Sequence, residues 1–120
     1  MLVNIKKYFF LILYTFFAKH LPISSNPILG KDVMIAPDLF VFASNHNFER
    51  VDIPMRLQGS SLSASITIED NVWIGRGVSI LAGKSVLKGS IVAAGCVLTK
   101  TFPEFSIIGG NPSRLIRNRK

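Results

Sequence analysis

Six consecutive hexads begin with an aliphatic residue: Ile68, Ile74, Ile80, Val86, Val92 and Leu98. Ile, Val and Leu make up roughly three in ten residues of the chain, so one fixed register matches six times by chance about once in a thousand trials. Three places further on, a second column reads Asn71, Gly77, Gly83, Gly89, Gly95 and Thr101. All but the last are residue types that accept a positive φ. An inward aliphatic residue and a turn residue once in every hexad describe a coil of very short strands joined by sharp turns. This repeat, from Ile66 to Thr101, constrains the fold more than any other feature of the chain.

The same period is present earlier, in a different phase. Leu29, Ile35 and Val41 lead three further hexads, with Asp32, Asp38 and Ser44 at the turn position. Val41 and Ile68 are 27 positions apart, which is not a multiple of six, so the register breaks between them. Residues 47–65, with Pro54, Gly59 and several serines, are therefore expected to form an inserted loop. A loop of that length inside a compact domain usually carries function or stays unstructured. At three hexads per turn the array supplies about three coils, a prism on the order of 14 Å tall. So small a core does not stand alone comfortably, and oligomerisation is expected.

Residues 1–27 read as a separate unit, an apolar helix and a linker, ahead of the repeat domain at 28–120. Lys6 and Lys7 precede the apolar run Tyr8 to Ala18, and Lys19 and His20 end it. The run is about half the roughly 20 residues needed to span a bilayer. No small-residue cleavage site follows it, so a secretory signal is disfavoured. A helix over residues 3–20, stopped by Pro22, is expected instead. Its aromatic residues surround it without forming a stripe, which fits burial in an oligomer or peripheral contact with a membrane interface.

The charged fraction of 18% and the positive mean hydropathy of 0.38 exclude a disordered chain, and the net charge of +7 fits a soluble basic protein or, more sharply, an anionic partner. Nucleic acid is disfavoured, since neither zinc-finger spacing nor a basic helix is present. The single cysteine, Cys96, excludes an internal disulfide framework and fits a reducing, cytoplasmic compartment.

Four stretches carry a family resemblance: Ser44-Asn45-His46-Asn47-Phe48, Ile68 to Gly75 with its Trp73-Ile74-Gly75, Val92 to Lys100, and Gly110-Asn111-Pro112-Ser113-Arg114. Together they resemble the hexapeptide-repeat acyltransferases, most nearly the maltose/galactoside and exopolysaccharide O-acetyltransferases. The resemblance implies an all-β fold, a left-handed parallel β-helix, against the usual right-handed crossover. It also implies a homotrimer, acetyl-CoA as acyl donor in the groove between prisms, and transfer of the acetyl group to a hydroxyl of a sugar or polysaccharide precursor. Metal-dependent hydratases of the same fold need three histidines, whereas this chain has His20 and His46 alone. No metal is expected.

His46 is the candidate general base. A histidine beside a loop is ordinarily a surface residue, but its matched context favours catalysis. An alcohol is a poor nucleophile at neutral pH, and an imidazole titrates in the operating range. Asn45 and Asn47 are candidate acceptor contacts, although turn formation explains them equally well. Glu49 and Asp52 are weaker candidates for orienting the imidazole. An oxyanion donor is expected from a backbone N–H of a later turn.

By the resemblance, Trp73, Gly75, Ala93, Ala94 and Lys100 line the donor groove. Arg114 and Arg117 suit its phosphates. The glycines are also explained by turns alone, and the basic tail (Arg117, Arg119, Lys120) by solvation. Cys96 occupies an inward position and reads as core, not as an acyl-carrying nucleophile. Two features depart from the family. Fewer coils precede the histidine than is usual, which leaves a shortened non-catalytic module that binds CoA or a partner as the alternative. Lys84 stands at an inward position, where a charged amine would cost several kcal/mol unless it turns outward.

Overall fold

The computed structural model describes residues 27–62 and 64–120. The helix expected over residues 3–20, and with it any membrane or oligomer contact it makes, lies outside the described residues. Among the described residues no helix is long and apolar enough to cross a membrane.

The chain winds into a three-faced parallel coil. On the first face β1 (Ile28–Leu29) lies on β4 (Thr67–Ile68), and a bridge from Ile68 to Val86 extends the ladder. The second face stacks β2 (Met34–Ile35), β5 (Trp73–Ile74), β7 (Ile91–Val92) and β9 (Ser106–Gly109). Against β9, β10 (Arg114–Asn118) turns back antiparallel and closes that edge. The third face stacks β3 (Phe40–Val41), β6 (Ser79–Ile80) and β8 (Val97–Leu98).

Register carries the repeat into space. Trp73 pairs with Ile91 and Ser79 with Val97, each 18 positions on, so one coil is three hexads. Between the first two coils the offset is 39 on every face, as in Ile28 to Thr67, Met34 to Trp73 and Phe40 to Ser79. The excess over one coil is the inserted loop, which leaves the array without disturbing the stacking on either side.

The hexad leaders point inward, and Ile68, Ile74, Ile80, Val86, Val92 and Leu98 are completely buried. A second inward column of Ile66, Val72, Val78, Ser90, Cys96 and Phe102 completes the core. Lys84 is the gap in that column. It is partly buried, at a tight turn closed by its N–H donating to Leu81 O at 3.1 Å.

Turn positions behave as their residue types require. Asp32, Asp38, Asn71, Gly77, Gly83, Gly89 and Gly95 all have positive φ, between 56° and 72°. Ser44 and Thr101 hold the same hexad position and lack it, because the chain leaves the coil there: at Ser44 for the loop, at Thr101 for the closing segment.

Gly75 is needed for a different reason. A Cβ there would lie 2.5 Å from the backbone nitrogen of Ala94 in the next coil, with no flexible neighbour to yield. By contrast, a Cβ on Gly77 would meet nothing within 4 Å, and only its φ of +67° resists substitution. Gly77→Ala should therefore cost about 1–2 kcal/mol, from the left-handed backbone alone. Gly75→Ala should cost more, at or above the ~1–3 kcal/mol typical of overpacking. Denaturant midpoints of the two variants check the order, and equal midpoints would contradict the close approach.

Candidate active site

The loop that interrupts the array folds as an arm with an ordered neck. It leaves the third face after β3 and returns before β4, so it stands on the edge between the third and first faces. Ala64 N–H donates to Ala43 O at its base, and Ala64 sits over the second-coil turn at Gly83. Further out, Ser61 N–H donates to Asn45 O at 2.8 Å and Asn47 N–H to Gly59 O at 3.0 Å. Asn45 N–H in turn donates to Ser61 Oγ at 3.0 Å. Gly59, with φ of +75°, makes the bend that feeds the return strand.

His46 lies on this neck, exposed, and forms a single antiparallel bridge with Ser60. Its Nδ1 is 3.4 Å from Ser60 Oγ. Nε2 has no hydrogen-bond partner among the described residues. The arrangement leaves one imidazole nitrogen open to solvent and to any group brought to that edge.

The polar residues around it are largely committed to the arm. Asn47 Nδ2 donates to Gln58 O at 3.0 Å, while the Gln58 amide accepts from Arg50 N–H and donates to Arg50 O and Ile53 O. The Arg50 guanidinium pairs with Asp52 and holds that carboxyl below the usual carboxylate range. Asp52 is thus engaged by Arg50, and neither it nor Glu49 hydrogen-bonds His46 among the described residues. Ser60, which faces the imidazole, carries no signal in the sequence, because nothing in the neck's composition reveals its pairing register.

The remaining candidates fall on two different edges. Lys100 is exposed at the edge that carries the arm, its Nζ 5.3 Å from the centre of the Phe102 ring. Trp73, half-exposed, lies on the second face, and Gly75, Ala93 and Ala94 follow it at the edge between the second and third faces. Arg114 and Arg117 are exposed on β10, the outermost strand of that second face. A single chain therefore groups Trp73, Gly75, Ala93, Ala94, Arg114 and Arg117, and separately His46, Asn45, Asn47 and Lys100. It does not bring the two groups together.

Two further residues find structural explanations. Arg119 Nη1 donates to Gly89 O at 2.8 Å, which folds the basic tail back onto the coil. Cys96 is completely buried in the second inward column, and burial pushes its thiol above the ordinary range.

Comparison with known proteins gives the following. No family model matches the chain. It is 36% identical over 89 residues to the galactoside O-acetyltransferase of Escherichia coli K12, covering 74% of this chain and 42% of that one. A solved galactoside acetyltransferase in complex with coenzyme A superposes with a TM-score of 0.72 at 32% identity, over 82% of this chain and 48% of its own. A hexapeptide-repeat acetyltransferase of Vibrio cholerae, complexed with acetyl-coenzyme A, gives 0.67 at 33% identity, over 76% and 48%. The chain thus spans less than half the length of these relatives. These structural neighbours are left-handed β-helices. A coil of the opposite hand would not superpose so closely, so the described coil shares their hand.

Cys96 gives a direct check on the core. Its buried, high-pKa thiol should resist a thiol reagent at neutral pH in the native protein and react fully once the chain is unfolded. Rapid stoichiometric labelling of the native protein would contradict the packing of the inward column.

Proposed function

The chain belongs to the hexapeptide-repeat acyltransferase family, and on that premise we propose that it transfers an acetyl group from acetyl-CoA to a sugar hydroxyl, with His46 as general base. One observation carries the reading: His46 stands exposed on an ordered neck, with Nδ1 against a hydroxyl and Nε2 without a hydrogen-bond partner among the described residues. The same family's solved members with coenzyme A or acetyl-coenzyme A bound support the donor, and the galactoside enzymes among its relatives support a sugar acceptor.

The chemistry follows from that nitrogen. Nε2 accepts the proton of the acceptor hydroxyl as its oxygen attacks the thioester carbonyl, forming the new C–O bond. Charge then develops on the carbonyl oxygen, and a backbone N–H of a nearby turn would stabilise it. Collapse breaks the C–S bond, and the imidazolium returns its proton to the departing thiolate. General base assistance of this kind is worth about 10²–10⁴-fold. The side-chain amide of Asn45 and the Oδ1 of Asn47 remain for the acceptor, since Asn47 Nδ2 is bound to Gln58 O.

In this proposal Trp73, Gly75, Ala93, Ala94 and Lys100 line the donor groove, and Arg114 and Arg117 pair with its phosphates. Because Lys100 and His46 lie on one edge and the rest along another, the groove forms between neighbouring copies of a homotrimer. Outward apolar residues of the coil support such packing, with Ile28, Met34, Phe40 and Trp73 each about half exposed or more. The transfer needs no metal.

A second reading, a module that binds CoA or a partner without turnover, draws on the separation of the two groups of candidate residues onto different edges of one chain. One experiment separates the two. CoA release is followed for the full-length protein with a panel of sugars, wild type against His46→Ala. The catalytic reading predicts turnover in the wild type and a loss of about 10²-fold or more in the variant. Equal rates would remove His46 from the chemistry. Binding of acetyl-CoA without turnover on any sugar would favour the module.

A further inference from the structure

The neck of the arm is a short antiparallel ladder, and its register decides which side chain His46 meets. Asn45 and Ser61 form a hydrogen-bonded pair, with Ser61 N–H donating to Asn45 O and Asn45 N–H taken by Ser61 Oγ. Asn47 and Gly59 are bonded through Asn47 N–H and Gly59 O. His46 and Ser60 lie between them as the non-hydrogen-bonded pair of the ladder. In such a pair the Cα atoms come closest, about 4.5 Å, and both side chains leave on the same face. The contact of His46 Nδ1 with Ser60 Oγ at 3.4 Å is thus a consequence of register. A slip of one residue would set Gly59 or Ser61 opposite the imidazole.

We propose that Ser60 is a positioning residue, accepting a hydrogen bond from His46 Nδ1–H and so leaving the Nε2 lone pair free at the edge of the prism. The inference rests on the reading of His46 as general base. A base at Nε2 requires the ring proton at Nδ1, and Ser60 Oγ is the hydroxyl that the neck holds against that nitrogen. Glu49 and Asp52 do not supply this contact, since Asp52 is held by Arg50 and neither hydrogen-bonds the ring among the described residues. Ser61 serves as an internal comparison: it is the next residue, it also hydrogen-bonds the neck, and its hydroxyl is engaged by the backbone of Asn45 instead of the ring.

The test uses the full-length protein as wild type, Ser60→Ala, Ser60→Thr and Ser61→Ala. Two readouts are taken. The first is the ¹⁵N spectrum of the His46 ring at alkaline pH, assigned by its loss in His46→Ala. The second is kcat and KM for acetyl-CoA with a sugar that the wild type acetylates. The proposal predicts a wild-type ring protonated at Nδ1, and a shift in Ser60→Ala toward the Nε2-protonated form that free histidine prefers. It predicts a fall in kcat of about two- to tenfold in Ser60→Ala, the worth of one neutral hydrogen bond, with KM for acetyl-CoA unchanged. Ser60→Thr, which keeps the hydroxyl, should retain both properties, and Ser61→Ala should shift neither.

An unchanged ring tautomer in Ser60→Ala would overturn the proposal, whatever happens to the rate. So would an equal loss of kcat in Ser61→Ala, which would reduce Ser60 to a general support of the neck. Failure of the underlying reading looks different: His46→Ala would keep full turnover, and the spectra alone would then decide the Ser60 pairing.

Discussion

The parallel backbone ladder between coils is the interaction on which everything else in this protein depends. Its strands are mostly two residues long, and alone they would have no stability. Each gains its hydrogen bonds from neighbouring coils, so the three faces have to shift together, by 39 residues between the first two coils and by 18 between the second and third. That requirement explains the inward aliphatic columns, which stack only when in phase. It also explains Gly75, where the next coil approaches too closely for a side chain. Positive φ at the turns follows as well, since six residues must include both a strand and a corner.

The same constraint distributes the candidate chemistry. An insertion can leave a stacked coil only at a corner, and the arm does so after β3, at one edge of the prism. His46 therefore stands away from the second face, where Trp73 and β10 lie. A chain with so little core also leaves large outward residues uncovered. Packing copies side by side would cover those faces and bring the two edges into one groove, so that oligomerisation and the assembly of a site become a single event.

Legibility in the sequence tracked this division. Hexad leaders and turn residues were readable because one spacing governs burial and backbone conformation together, and Asn71, Gly77, Gly83, Gly89 and Gly95 took the expected φ. The arm's length was readable from the break between Val41 and Ile68. Its pairing was not: residues 45–47 and 58–61 are almost all polar or glycine, without the alternation that would pin a register. Ser60 was missed for that reason. Lys84 was legible only as a conflict, and the structure places it at a tight turn where the residue is only partly buried. The general-base role proposed for His46 rests on family resemblance, since no spacing rule assigns it.

In the proposed enzyme the His46 edge of one copy and the Trp73–Arg114 face of its neighbour form one site. Complementation between two inactive proteins tests it most directly: His46→Ala, and a double variant with Trp73→Ala and Arg114→Ala, unfolded and refolded together in equal amounts. If the site lies between copies, random assembly restores both halves in roughly a quarter of the grooves, and acetyl transfer returns to about that fraction of wild type. Mixed oligomers that form but stay as inactive as either parent would contradict the account.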